Sequence, residues 1–160
     1  VRYLKNGNVM MSDSSHAAAR LGFMFTVLTT ATGALWAKIA WGSCWNNDPR
    51  ETSIAFLLVT YLAYFALRSA IGTRSGHERI CAVYLVFSAA VMPFFVFAVP
   101  RLYPTLHPDA IINSSGTMHL TSGMRVVLGC AACAGLSLFS ILYSFEKKIA
   151  VISRRKRGIS

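Results

Sequence analysis

Four long apolar runs constrain this chain more than any other feature. They fall at roughly residues 21–41, 54–71, 80–99 and 123–145. A bilayer core is about 30 Å thick, so a helix of about 20 mostly apolar residues spans it. Each run meets that length or comes close. Charges inside the runs are confined to their ends, at Lys38, Arg68 and Arg125, where long basic side chains reach the interface. Only 14% of residues are charged and mean hydropathy is +0.49, against about 25% charged for a soluble domain. The expectation is an all-α, multi-pass membrane bundle of four transmembrane helices, forming one domain over residues 1–160.

The net charge of +10 does not point to nucleic acid, because a membrane protein carries its Lys and Arg in flanks and loops. Four spans put both termini and the middle loop on one side. Those segments hold Arg2, Lys5, Arg20, Arg68, Arg74, Arg79, Lys147, Lys148, Arg154, Arg155, Lys156 and Arg157, which is 12 of the 16 basic residues. The positive-inside rule therefore places the termini in the cytoplasm and loops 42–53 and 100–122 outside. The basic tail reads as a topology anchor in contact with membrane lipid. Residues 1–20 are polar, with no apolar core of a signal peptide. A first residue of Val rather than Met suggests a fragment.

The first outer loop runs from Trp41 through Gly42, Ser43, Cys44 and Trp45 to Asp48, Pro49, Arg50 and Glu51. Asp48 suits an N-cap, Pro49 the first helical position and Glu51 the N3 position, so this end of the loop starts the second span. Trp36 fits an interfacial belt. Trp41 and Trp45 flank a glycine turn, which can present two indole faces to one flat apolar ligand.

The second outer loop holds Pro100, Arg101, Tyr103, Pro104, Thr105, His107, Pro108 and Asp109, and later His119. Its prolines exclude a helix interior. A neutral imidazole is a good axial ligand for haem iron, which makes His107 a candidate and His119 a weaker one; the plain alternative is a loop histidine in water. His16 and His77 lie in polar, basic stretches and read as solvated. Cys130 and Cys133 have redox-motif spacing, but inside a span they read as small packing residues, as do Gly22, Thr29, Thr30, Thr32 and Gly33. Pro93 predicts a kink in the third span. There is no phosphate loop, no HExxH and no hydrolase elbow, and the outer acids Asp48, Glu51 and Asp109 specify no hydrolytic pair. A solute transporter would place ionisable groups at mid-membrane, and the spans carry few.

Three stretches together carry a family resemblance. Residues 35–53, LWAKIAWGSCWNNDPRETS, resemble the tryptophan-rich WWD motif of cytochrome c biogenesis proteins. Residues 61–71, YLAYFALRSAI, resemble the helix that follows that motif in the haem exporter protein C family. Residues 99–108, VPRLYPTLHP, resemble the family's outer loop bearing a haem-ligand histidine. Order, spacing and topology agree over about residues 17–147.

The resemblance implies a haem-handling protein in the bacterial plasma membrane. It would bind haem b on the outer face and load it onto a membrane-anchored haem chaperone that serves c-type cytochromes. An ATP-driven haem exporter complex and a small membrane subunit would be neighbours. His107 matches one of the family's two axial histidines, and Trp41, Gly42, Trp45 and Asp48 match the WWD motif. Arg50, from its charge and position, could pair with a haem propionate. Binding and delivery are implied, not enzymatic catalysis. The alternatives are a membrane transporter subunit, or a haem lyase of the other cytochrome c maturation system. Two departures stand out. Asn47 replaces the usual tryptophan before the aspartate, and Cys44 stands where an aromatic is common, which thins the aromatic platform. The family usually has six spans, with its other axial histidine before the third. The expectation is missing N-terminal sequence that would hold two more spans and that ligand, and a four-span form using His119 is the alternative.

Overall fold

The computed structural model describes residues 2–72, 76–107 and 120–156. Helices make up almost all of them, with no strand among the described residues. The order is α1 (Arg2–Asn6), α2 (Val9–Trp41), α3 (Pro49–Ile71), α4 (His77–Pro93), a π-helical segment (Phe94–Ala98), α5 (Val99–Leu102) and α6 (Ser122–Lys156). Four helical units are long and apolar enough to cross a membrane: Val9–Trp41, Pro49–Ile71, His77–Leu102 and Ser122–Ser153. All four expected spans are present.

The chief difference is at the start. Asn8 caps α2 by accepting the Met10 N–H at 2.9 Å, so the helix begins well before its apolar run. Residues 9–20 then form a polar extension of the first span. Residues His16 and Arg20 therefore ride on a bundle helix. His16 Nδ1 lies 3.3 Å from the Tyr64 hydroxyl and its ring packs against Tyr64 and Phe65, which corrects its reading as a solvated histidine.

The helices run up and down. Contacts of Ser53 with Phe95, Thr60 with Met92 and Tyr64 with Tyr84 pair α3 antiparallel to the third span. Phe25 meets Phe139 while Arg20 meets Glu146, so α6 is antiparallel to α2. The small core centres on Ala19, Tyr64 and Cys81, with Tyr61, Phe65, Tyr84 and Leu85 around it. Gly22 lets α2 approach α3, because a Cβ there would strike the Tyr61 hydroxyl. Its packing role holds. Thr29, Thr30 and Gly33 instead line a cavity, and Cys130 and Cys133 are exposed free thiols on an α6 segment (residues 122–138) that is exposed throughout. Ile39, Val59, Phe87, Val127 and Leu136 are also exposed. So much outward apolar surface suits hydrocarbon rather than water.

Pro93 ends α4, and the chain continues as a π-helical segment rather than a simple kink. Within it the Val99 N–H donates to the Phe94 carbonyl. The next carbonyl, of Phe95, would face Pro100, which has no N–H. The Ser53 hydroxyl reaches that carbonyl at 2.7 Å. Two prolines thus loosen the third span, and a serine of α3 holds the loosened part. This sets where residues 103–107 leave the bundle.

Candidate functional site

The site is organised around the carboxylate of Asp48, which is only 3% exposed. Locally its position follows from helix capping. Asp48 Oδ1 accepts the Arg50 N–H at 2.9 Å, and the Glu51 side chain accepts the Asp48 N–H at 3.2 Å. With Pro49 at the first helical position, this is the expected capping box of α3. Glu51 also accepts the Asn46 N–H at 2.7 Å, so one glutamate closes the whole turn.

The same carboxylate reaches across the fold. Asp48 Oδ2 accepts the Thr105 hydroxyl at 2.6 Å and the Leu106 N–H at 2.7 Å. His107 Nδ1 lies 3.0 Å from Asp48 Oδ1. The His107 N–H in turn donates to Thr105 Oγ1 at 3.2 Å. Burial by itself raises the Asp48 carboxyl's pKa. Hydrogen bonds from Thr105 and the Arg50 and Leu106 N–H groups, with His107 beside them, outweigh burial and hold it below the usual carboxylate value. The carboxylate is therefore ionised and accepts only, so Nδ1 of a neutral His107 carries the proton. Nε2 is left with its lone pair, the atom by which such an imidazole ligates a metal.

Two indoles contact this imidazole and a third shares its cavity. Trp41 meets His107 edge-on, centroids 4.8 Å apart, and Trp36 stacks on it at 6.2 Å and 29°. Trp36 and Trp41 also touch each other at 4.9 Å. Trp45 is tethered through its indole N–H to Asn47 Oδ1 at 2.9 Å. Asn47 itself has φ of 56°, a left-handed conformation that asparagine tolerates better than bulkier residues. Trp36, Trp41, Trp45, Arg50 and His107 line one cavity of about 190 Å³, together with Cys44. Gly42 ends α2 with φ of 85°, its N–H donating to the Lys38 carbonyl at 3.0 Å. It reverses the chain so that Trp41 and Trp45 share the cavity.

The family model described as "Heme exporter protein C" matches residues 7–159. The chain belongs to the haem exporter protein C family. A Bradyrhizobium diazoefficiens protein named Heme exporter protein C is 32% identical over 146 residues, 91% of this chain and 55% of that protein. The Rhodobacter capsulatus protein of the same name is 43% identical over 107 residues, 67% of this chain and 42% of that one. A cytochrome c biogenesis protein CcsA from Atropa belladonna is 37% identical over 68 residues, 42% of this chain and 22% of its own. The chain spans about half the length of the curated haem exporter protein C relatives it matches.

The haem exporter protein C motif directs attention to Trp41, Gly42, Trp45 and Asp48, and the fold brings these to His107 and Arg50. His119 lies outside the described residues. No motif marks Trp36 or Thr105 as site residues, yet both touch its centre. Trp36 and Trp41 are five residues apart, about 140° around a helix, so spacing alone does not pair them. Only the return of residue 107 brings them to one ring. Thr105 carries no sequence signal beyond standing two residues before the histidine.

Proposed function

We propose that this chain binds haem b at the outer face of the bacterial plasma membrane and passes it to a membrane-anchored haem chaperone for c-type cytochrome maturation. One observation carries the reading: His107 has its Nδ1 held by a buried, ionised Asp48 and its ring set among tryptophans. An imidazole fixed in one tautomer by a carboxylate is the arrangement that orients a metal-ligating histidine. The donor set suits a porphyrin. Indole faces meet an apolar macrocycle, Nε2 of His107 serves as an axial ligand to the iron, and Arg50 lies on the same cavity for a propionate.

The shape favours transfer over storage. At about 190 Å³ the cavity is smaller than the roughly 300–1,000 Å³ of pockets that enclose a drug-sized ligand. The macrocycle would lie across the mouth, exposed to a receiving partner. Trp36 and Trp45, 51% and 42% exposed, would form that open rim. Nothing in this role requires the chain to make or break a covalent bond. An ATP-driven exporter complex and a small membrane subunit are the proposed neighbours, and both termini are proposed to be cytoplasmic. The second axial position falls to another histidine, for which His119 is a candidate.

Protein purified in mild detergent from haem-replete cells should show a Soret band. His107→Ala should abolish it. A band indifferent to His107→Ala would overturn the ligand assignment. Loss of the band in His119→Ala as well would assign the second ligand.

A further inference from the structure

The end of the bundle opposite the Asp48 loop holds a second, polar cavity of about 330 Å³. Asp13, His16 and Arg20 of α2, Arg68 of α3, and Glu146 and Ser153 of α6 line it. On α2 these residues recur at helical spacing, so one face of the polar extension turns inward. Arg20 Nη1 pairs with Glu146 at 3.1 Å. His16 Nδ1 lies against the Tyr64 hydroxyl at 3.3 Å. Arg68 is different: its side chain shares a hydrogen bond with Tyr64, but its Nη1 is buried and has no hydrogen-bond partner among the described residues. A guanidinium N–H withdrawn from water without an acceptor is costly, which is why such donors in folded proteins have partners. We propose that this cavity is a phosphate-binding site for a membrane phospholipid, with the Arg68 guanidinium as its anchor.

Chemistry selects an oxyanion. A guanidinium presents a planar fork of donors and no acceptor, and its best partners are phosphate and carboxylate oxygens. The acids Asp13 and Glu146 formally balance Arg20 and Arg68, and a bound phosphodiester adds one negative charge to a chain of net +10.

Depth selects a lipid. Arg68 lies about 20 residues beyond Asp48 on a continuous helix. At 1.5 Å per residue that is about 30 Å, one hydrocarbon thickness. With Asp48 at one surface, Arg68 lies at the headgroup level of the other. Ile149 and Ala150 line the same cavity, and Phe145, Ile149 and Ile152 of α6 are exposed beside it. Acyl chains can run along that apolar face while the phosphate enters between α2, α3 and α6. A soluble phosphate compound would make no use of this surface.

The test uses the whole protein in mild detergent, stripped of lipid by exchange. Native mass spectrometry and thermal unfolding then follow additions of phosphatidylglycerol, the matching diacylglycerol, or inorganic phosphate. Phosphatidylglycerol should give one saturable adduct and raise the unfolding midpoint. Diacylglycerol, which has the chains without the phosphate, should do neither. Arg68→Gln should weaken phosphatidylglycerol binding by about tenfold or more, with Arg68→Lys between it and the unaltered protein because it keeps charge without the fork. Equal binding of diacylglycerol, an unsaturable adduct, or unchanged affinity in Arg68→Gln would overturn the proposal. Inorganic phosphate raising the midpoint as much as the lipid would overturn the lipid assignment in favour of free phosphate. Should Arg68→Gln not fold, the comparison of the three additives on the unaltered protein decides alone.

Discussion

The two ends of this helix bundle use charge in opposite ways. At the loop end a single carboxylate, Asp48, is almost fully buried and receives hydrogen bonds from two separate stretches of chain, residue 50 and residues 105–106. At the other end Arg20, with a side chain 52% exposed, forms an ion pair with Glu146 in the lining of a polar cavity. The first arrangement fixes geometry, because each oxygen of Asp48 is committed and no water competes. The second adds little fixed geometry, because solvent screens the pair. Buried, fully satisfied polar groups set a structure, whereas open ones leave room for a ligand.

The strongest way to break the contrast is at the loop end. Asp48→Ala removes the cap of α3 and leaves Thr105, the Leu106 N–H and His107 without their acceptor. Denaturation in detergent should show a loss of roughly 2–4 kcal/mol. Asp48→Asn preserves shape and some capping but cannot hold His107 in the same state. It should lose less stability, while haem affinity, read by Soret titration, falls about 10- to 100-fold. A stability loss from Asp48→Ala no larger than that of an ordinary surface cap would show that Asp48 does not tie the 103–107 loop.

Gly22 tests whether the two ends are held by one rigid frame. Gly22→Ala places a methyl against Tyr61 and should cost about 1–3 kcal/mol. In a Tyr61→Phe background the same change should cost less, a non-additivity that double-mutant unfolding curves would measure. The smallest effect is expected at the charged end, where Arg20→Gln should change stability by under about 1 kcal/mol, with the Soret band unaltered. An Arg20→Gln effect as large as that of Asp48→Ala would erase the difference between the ends.

Much of this was legible in the sequence, and the reasons are local. The four spans follow from run length against bilayer thickness, which needs no partner. The start of α3 follows from Asp48, Pro49 and Glu51, because a capping box is closed within four residues. The polar extension of α2 was not legible, since residues 9–20 have no apolar periodicity and their helicity rests on the Asn8 cap and on packing against α3 and α6. The π-helical segment was only half legible. Pro93 signals a disturbance, but its form depends on Pro100 further along and on Ser53 from another helix. Trp36 read as a belt residue because indoles near a span end usually are.

By itself, then, the sequence determined the helical membrane architecture, the family, and the candidates Trp41, Trp45, Asp48, Arg50 and His107. These rest on composition, on capping and on motif, each of which acts over a few residues of chain. Only the tertiary structure decided that one carboxylate both caps a helix and holds an imidazole 59 positions away, that Trp36 joins the indoles at the site, and that Arg68 lines a polar cavity at the far end with its Nη1 buried. Those are relations between elements. They depend on how closely α2 approaches α3 at Gly22 and on where two prolines let the third span loosen, and neither distance is written in any single stretch of residues.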